Sequence, residues 1–148
     1  MANYLRLSAF LVAAVLGGPL SGCTAPDLLT GRAVRGAWAR TADSGATGGA
    51  YLTVVNNDST ATVLTGVASP VATSVEVHES MQHDGMTHMM PRTAVTIGAR
   101  DSVVMAPGGL HVMLNQLTRA LVAGDSVPLT LRFADGDSLR VSVPVRTP

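Results

Sequence analysis

The sequence predicts an all-β domain, a sandwich or a barrel, and three observations carry that prediction. Short runs of alternating apolar and polar residues recur along the chain, separated by Gly, Pro, Asn or Asp turn signals at intervals of roughly eight to twelve residues. No stretch sustains helical periodicity, so no βαβ unit and no Rossmann-type site is expected. The aromatic complement is two Phe, two Tyr and one Trp, which leaves Val, Leu and Ala to build the core.

The chain opens with a segment of a different kind. Arg6 supplies positive charge, Leu7 to Leu16 an apolar run, and Leu20-Ser21-Gly22-Cys23 a small-residue cleavage site, the pattern of a secretion signal. The apolar run is too short to span a bilayer, which takes about 20 residues. Leu-Ser-Gly-Cys resembles the bacterial lipobox, whose cysteine becomes the lipidated first residue of the mature protein; the competing reading is an ordinary signal with an incidental cysteine. The expected organisation is a lipoprotein signal peptide over 1–22, a lipidated N-terminus and tether over 23–33, and a β-sandwich domain over 34–148. Cys23 is the single cysteine, so no intrachain disulfide can form.

The strands follow in order. Ala33 to Arg40 alternates, with Trp38 near its end; a Gly/Ser/Asp loop leads to Ala50–Val55, closed by Asn56-Asn57-Asp58. Thr62 to Ala68 precedes a break at Pro70. In Ser74 to Ser80, Val75 and Val77 share one face and Glu76 and His78 the other. A Met/His-rich segment around Asp84-Gly85 comes next, where Met81, Met86 and Met90 are placed as loop padding. Strands are then expected over Thr93–Ile97 and Ser102–Met105, with Met105 as core filler. Pro107-Gly108-Gly109 turns the chain into Leu110–Leu114. Gln116 to Ala123 is readable as a short helical turn or a loop, and a hairpin pairing Val127–Phe133 with Ser138–Val145 ends the domain.

Charge narrows the choice of partners. The basic residues number ten, all arginine, against ten acids, with a formal net charge of zero; removing Arg6 with the signal leaves the mature chain near −1. That balance gives no footprint for nucleic acid and no basic stripe for anionic lipid, so membrane attachment is expected through lipid on Cys23 alone.

The chemistry is concentrated between His78 and Met113. That window holds all four histidines, His78, His83, His88 and His111. Of the seven methionines it holds Met81, Met86, Met89, Met90, Met105 and Met113, every one but the initiator. Imidazole nitrogen and thioether sulfur together favour a soft transition metal, Cu(I) foremost. In Leu110–Leu114 the residues Leu110, Val112 and Leu114 form the natural core face, which leaves His111 and Met113 together on the other. A methionine on the polar face of an alternating strand breaks the binary pattern. Singly, a histidine on such a face is solvated and a methionine fills a core; jointly, His-x-Met on one face with a second His/Met group upstream points to a metal.

His78, ten intervening residues, Met89, twenty-one residues, His111, one residue and Met113 reproduce the His-x10-Met-x21-His-x-Met pattern of the periplasmic copper chaperones of the PCuAC family. The resemblance runs from about Val34 to Val145 and includes Gly36-Ala37-Trp38-Ala39-Arg40, Gly49-Ala50-Tyr51-Leu52, Val77-His78-Glu79 and Pro107-Gly108-Gly109. It implies a cupredoxin-like, Greek-key β-sandwich that binds one Cu(I) through His78, Met89, His111 and Met113. It also implies an extracytoplasmic, periplasm-facing chaperone delivering copper to the dinuclear copper centre of cytochrome c oxidase, with that centre's subunit or another copper chaperone as partner. His83 and His88 fall outside the motif and are candidates for a second, weaker Cu(II) site. Some relatives carry a His/Met-rich tail; this sequence closes on Val145-Arg146-Thr147-Pro148, and no tail site is expected.

Other functions fit less well. A copper-sequestering lipoprotein for metal tolerance uses the same residues. An electron-transfer cupredoxin needs a thiolate beside two histidines, and the one cysteine lies in the lipobox. Hydrolysis has no nucleophile elbow and no paired carboxylates, since Glu76 and Glu79 lie on opposite strand faces. An interaction sandwich leaves the His/Met window unexplained. No enzymatic activity is expected.

Overall fold

The computed structural model describes residues 31–147, so the signal, Cys23 and most of the tether lie outside the described residues. Strands follow one another as the alternation requires: β1 (Arg32–Arg40), β2 (Gly48–Asn56), β3 (Thr62–Ala68), β4 (Ala72–His83), β5 (Met86–Pro91), β6 (Val95–Ile97), β7 (Ser102–Met105), β8 (Leu110–Leu117), β9 (Ser126–Phe133) and β10 (Ser138–Arg146). Among the described residues there is no helix.

Two layers result. One runs β5-β4-β8-β2-β1, and the other β10-β9-β3-β6. Parallel pairing of β1 with β10 at Ala39–Val145 and Arg40–Arg146 joins them. β7 lies alongside the distal part of β2, from Leu52 to Val55, while β8 takes its proximal part at Gly48–Ala50. The inner faces supply Leu52, Val54, Val112 and Leu114 from the first layer and Leu64, Leu129, Leu131 and Val143 from the second, all buried in one core. Burying each such side chain is worth about 1.5–3 kcal/mol, and Met105 joins them as expected.

Two differences from the sequence expectation matter for function. The Met/His-rich segment is no loop: β4 continues to His83 and β5 begins at Met86, around a two-residue turn in which Asp84 and Gly85 take φ of 51° and 78°. Both positive angles define the type I′ geometry that matches strand twist. Gln116–Ala123 holds neither a helix nor a plain loop, because β8 runs on to Leu117 and Leu121 then bridges to Ala42.

At the opposite end of the sandwich, Arg32 ties β1 to the β9–β10 turn. Its guanidinium lies 4.3 Å over the Phe133 ring and pairs with Asp135. The hydrogen bond from Arg32 holds the Asp135 carboxyl below the usual carboxylate range.

Candidate metal centre

The outer face of the first layer carries a row of rings, and register explains it. Directly opposed residues of antiparallel strands point to the same face, with Cβ atoms about 4.5–5.5 Å apart. Trp38 on β1 opposes Tyr51 on β2, and His111 on β8 opposes His78 on β4. Trp38 and Tyr51 rings lie 4.6 Å apart, Tyr51 and His111 6.5 Å, and His111 and His78 6.2 Å. Trp38 reaches this row through a bulge: the β1–β2 register shifts between Arg35 and Trp38, where Gly36 has a φ of 59°. Arg40 lies over the Trp38–Tyr51 end of the row, its guanidinium 6.0 Å from the Trp38 ring and 5.6 Å from that of Tyr51.

The second rank along the strands completes the face. Met113 lies two residues from His111 and opposes Glu76 on one side and Gly49 on the other. A Cβ at Gly49 would come within 3.1 Å of the Tyr51 hydroxyl, which leans back over it, so a larger residue there would push that side chain aside. Met89 opposes Ser80, so it shares the face of His78 and stands diagonal to it, a separation that long side chains can bridge. All four motif residues are thus on one face of three adjacent strands. Their exposure differs sharply: His111 is 7% exposed and Met89 55%.

Hydrogen bonds fix which imidazole nitrogens are free. His111 Nδ1 lies 3.0 Å from the Gly109 carbonyl oxygen. A carbonyl can only accept, so Nδ1 carries the proton and donates, and Nε2 keeps the lone pair. The carbonyl is placed by the turn Ala106-Pro107-Gly108-Gly109, closed by a 3.1 Å bond from Gly109 N–H to Ala106 and by a Gly108 φ of 83°; these are type II features. His78 Nε2 lies 3.0 Å from Glu76 Oε2. The carboxylate accepts, so Nε2–H donates and the lone pair falls on Nδ1, which is buried and has no hydrogen-bond partner. A buried polar atom without a partner is costly unless something satisfies it, and a cation does so directly.

Ring spacing agrees with that assignment. With metal–nitrogen bonds of about 2.0–2.1 Å, two imidazoles sharing one ion have centroids roughly 5–6 Å apart, close to the 6.2 Å between His78 and His111. Among the described residues no three His, Cys, Asp or Glu side chains converge on one point. The further donors on this face are the methionine sulfurs, which favour soft ions.

Sequence reasoning missed three contributors to this face. Glu76 stands two residues before His78 on the same face, a signal that alternation already contained. Trp38 and Tyr51 depend on register across β1, β2 and β8, which the sequence does not spell out. His83 and His88 are not brought to the His78 face: His88 opposes Met81 and His83 opposes Met86, which places them on the reverse side of the hairpin.

Comparison with known proteins places the chain in a family. Residues 33–145 match the family described as "Putative lipoprotein LpqE-like". The chain is 36% identical over 150 residues to "Putative lipoprotein Lxx21020" of Leifsonia xyli subsp. xyli (strain CTCB07), across 95% of this chain and 89% of that one. Among solved structures, the copper-bound PCuAC domain from PmoF2 aligns with a TM-score of 0.65 and 25% identity, over 79% of this chain and 93% of that domain. The solution structure of Cu(I)-DR1885 from Deinococcus radiodurans aligns with a TM-score of 0.58 and 30% identity, over 86% of this chain and 83% of that one. The cupredoxin-like sandwich implied by the motif is thus the fold of the PCuAC domains, and the chain belongs to the LpqE-like family.

Proposed function

We propose that the domain binds one Cu(I) through His78, Met89, His111 and Met113 and passes it on outside the cytoplasm as a non-enzymatic metallochaperone, its acceptor being the dinuclear copper centre of cytochrome c oxidase. The observation that carries this reading is the pair of facing imidazoles, each with one nitrogen left as a free lone pair, on the face that also bears both motif methionines. Copper in the related PmoF2 and DR1885 structures supports it. The lipoprotein description shared by the family and the Leifsonia relative supports attachment to the envelope through lipid on Cys23.

The graded exposure suits transfer. His111 is anchored under Tyr51 and bonded to Gly109, so it holds position. Met89 stands on an exposed hairpin and is the ligand an acceptor reaches first. Thioether is a weak, neutral ligand, and an incoming thiolate is softer and charged, so exchange at the Met89 position runs toward the acceptor. No electron moves in that step: one Cu–S bond replaces another.

Anaerobic Cu(I) titration against a competing chelator tests the ligand set. Met113→Leu is expected to weaken Cu(I) binding by tenfold or more, whereas Met105→Leu, a near-isosteric core change, leaves it within about twofold. Equal losses in the two variants contradict a defined site. Incubating the copper-loaded protein with a soluble dinuclear-copper acceptor domain then separates delivery from sequestration, which predicts that copper stays put.

A further inference from the structure

The reverse side of the β4–β5 hairpin carries a second set of copper-type donors. Because Met81 opposes His88 and His83 opposes Met86, these four side chains share one face, in two adjacent cross-strand pairs. Opposed Cβ atoms are about 4.5–5.5 Å apart and same-face neighbours along a strand about 7 Å. Two imidazoles and two thioethers therefore occupy the corners of a rectangle that flexible side chains can close over one ion. Alternation sets this face opposite the one that bears His78 and Met89.

The composition of β5 argues that these residues are there for a ligand. It is the edge strand of its layer, and exposed edges are ordinarily blunted by short length, Pro or charged side chains. β5 is short and closes on Pro91, but its Met-Thr-His-Met-Met run carries no charge. Met81 is 43% exposed and Met86 61%, so neither fills a core. The His83 Nε2 lies 3.3 Å from Asp84 Oδ2, with both side chains exposed at the tip.

We infer that Met81, His83, Met86 and His88 form a second binding site for a soft monovalent cation, Cu(I), at the hairpin tip. This deepens the second-site reading of His83 and His88 by adding the sulfur that makes the set selective for Cu(I) over Cu(II). It does not depend on the motif site, since no residue is shared. The tip is solvent-exposed and turns on only two residues, so the second ion is held more weakly and exchanges faster than the first.

The test follows the methionine methyls one by one. The full chain, with the Cys23 thiol blocked and kept in detergent micelles, is labelled with [methyl-13C]methionine and titrated anaerobically with Cu(I). Met89 and Met113 methyls are expected to shift with the first equivalent, and Met81 and Met86 with the second. The double change Met81→Leu, Met86→Leu is expected to lower affinity for the second equivalent at least tenfold and leave the first unchanged. His111→Ala is expected to abolish the first and preserve the hairpin shifts, which separates failure of this site from failure of the motif site. Hairpin methyls that stay unmoved through two equivalents, or that move together with Met89 and Met113 during the first, overturn the inference.

Discussion

Glu76 governs what the histidine pair can do, although it is not itself placed as a ligand. It accepts the Nε2 proton of His78 at 3.0 Å and is steadied by the Asn115 side-chain amide at 3.4 Å. It therefore selects the tautomer that leaves Nδ1 free, orients the ring, and supplies negative charge beside a site whose four proposed ligands are neutral. Outer-shell partners of this kind typically change metal affinity by about 10–100-fold when altered. Glu76→Gln keeps an acceptor of the same size and removes the charge, so Cu(I) affinity is expected to fall roughly tenfold with the melting temperature unchanged. Chelator competition and a thermal melt check both halves, and unchanged affinity would assign the orientation of His78 to its other neighbours. The motif spacing itself was legible in the sequence, as was the separation of His111 and Met113 from Leu110, Val112 and Leu114. The tautomers were not, because they depend on a turn carbonyl and a carboxylate whose positions only folding sets.

At the scale of elements, the β4–β5 hairpin decides how firmly Met89 is held. Its turn needs positive φ at both Asp84 and Gly85, a conformation that costs a residue with a Cβ roughly 1–2 kcal/mol. Asp-Gly between alternating runs is a strong hairpin signal, yet the crowd of methionines around it reads as a loop, since β-branched residues are scarce there. Pairing with β4, and β4's own pairing with β8, override that local preference. Gly85→Ala is expected to fray the tip and weaken Cu(I) binding severalfold through Met89. Global stability is expected to change little, because both faces of the hairpin beyond Glu79 are outside the core. Gly85→Asn, which tolerates the left-handed region better, is expected to restore most of the loss. Amide exchange over residues 81–88 and Cu(I) competition measured on both variants provide the check, and a uniform drop in melting temperature without local fraying contradicts it.

For the molecule as a whole, the sandwich and the metal face are separable. The core draws on both layers and contains none of the four proposed ligands, although His111 is buried beside Tyr51 on the outer face. Strand positions were legible because period-two alternation is local; the order β5-β4-β8-β2-β1, which alone brings Trp38, Tyr51, His111 and His78 into one row, is a product of long-range pairing. This separability predicts that the metal-free domain is folded, unlike small zinc modules whose folding free energy is supplied by the ion. Copper then adds stability only by linkage, about 2.7 kcal/mol at a free concentration one hundred times Kd and about 4.1 at one thousand times. For a domain of this size that corresponds to a rise in Tm of roughly 10–20 °C. The metal-free protein is accordingly expected to show a β-type circular dichroism spectrum and a single cooperative melt, moved upward by Cu(I) in wild type and scarcely at all in His111→Ala. A metal-free chain that gave a random-coil spectrum would mean that the outer face, rather than the core, holds the layers together.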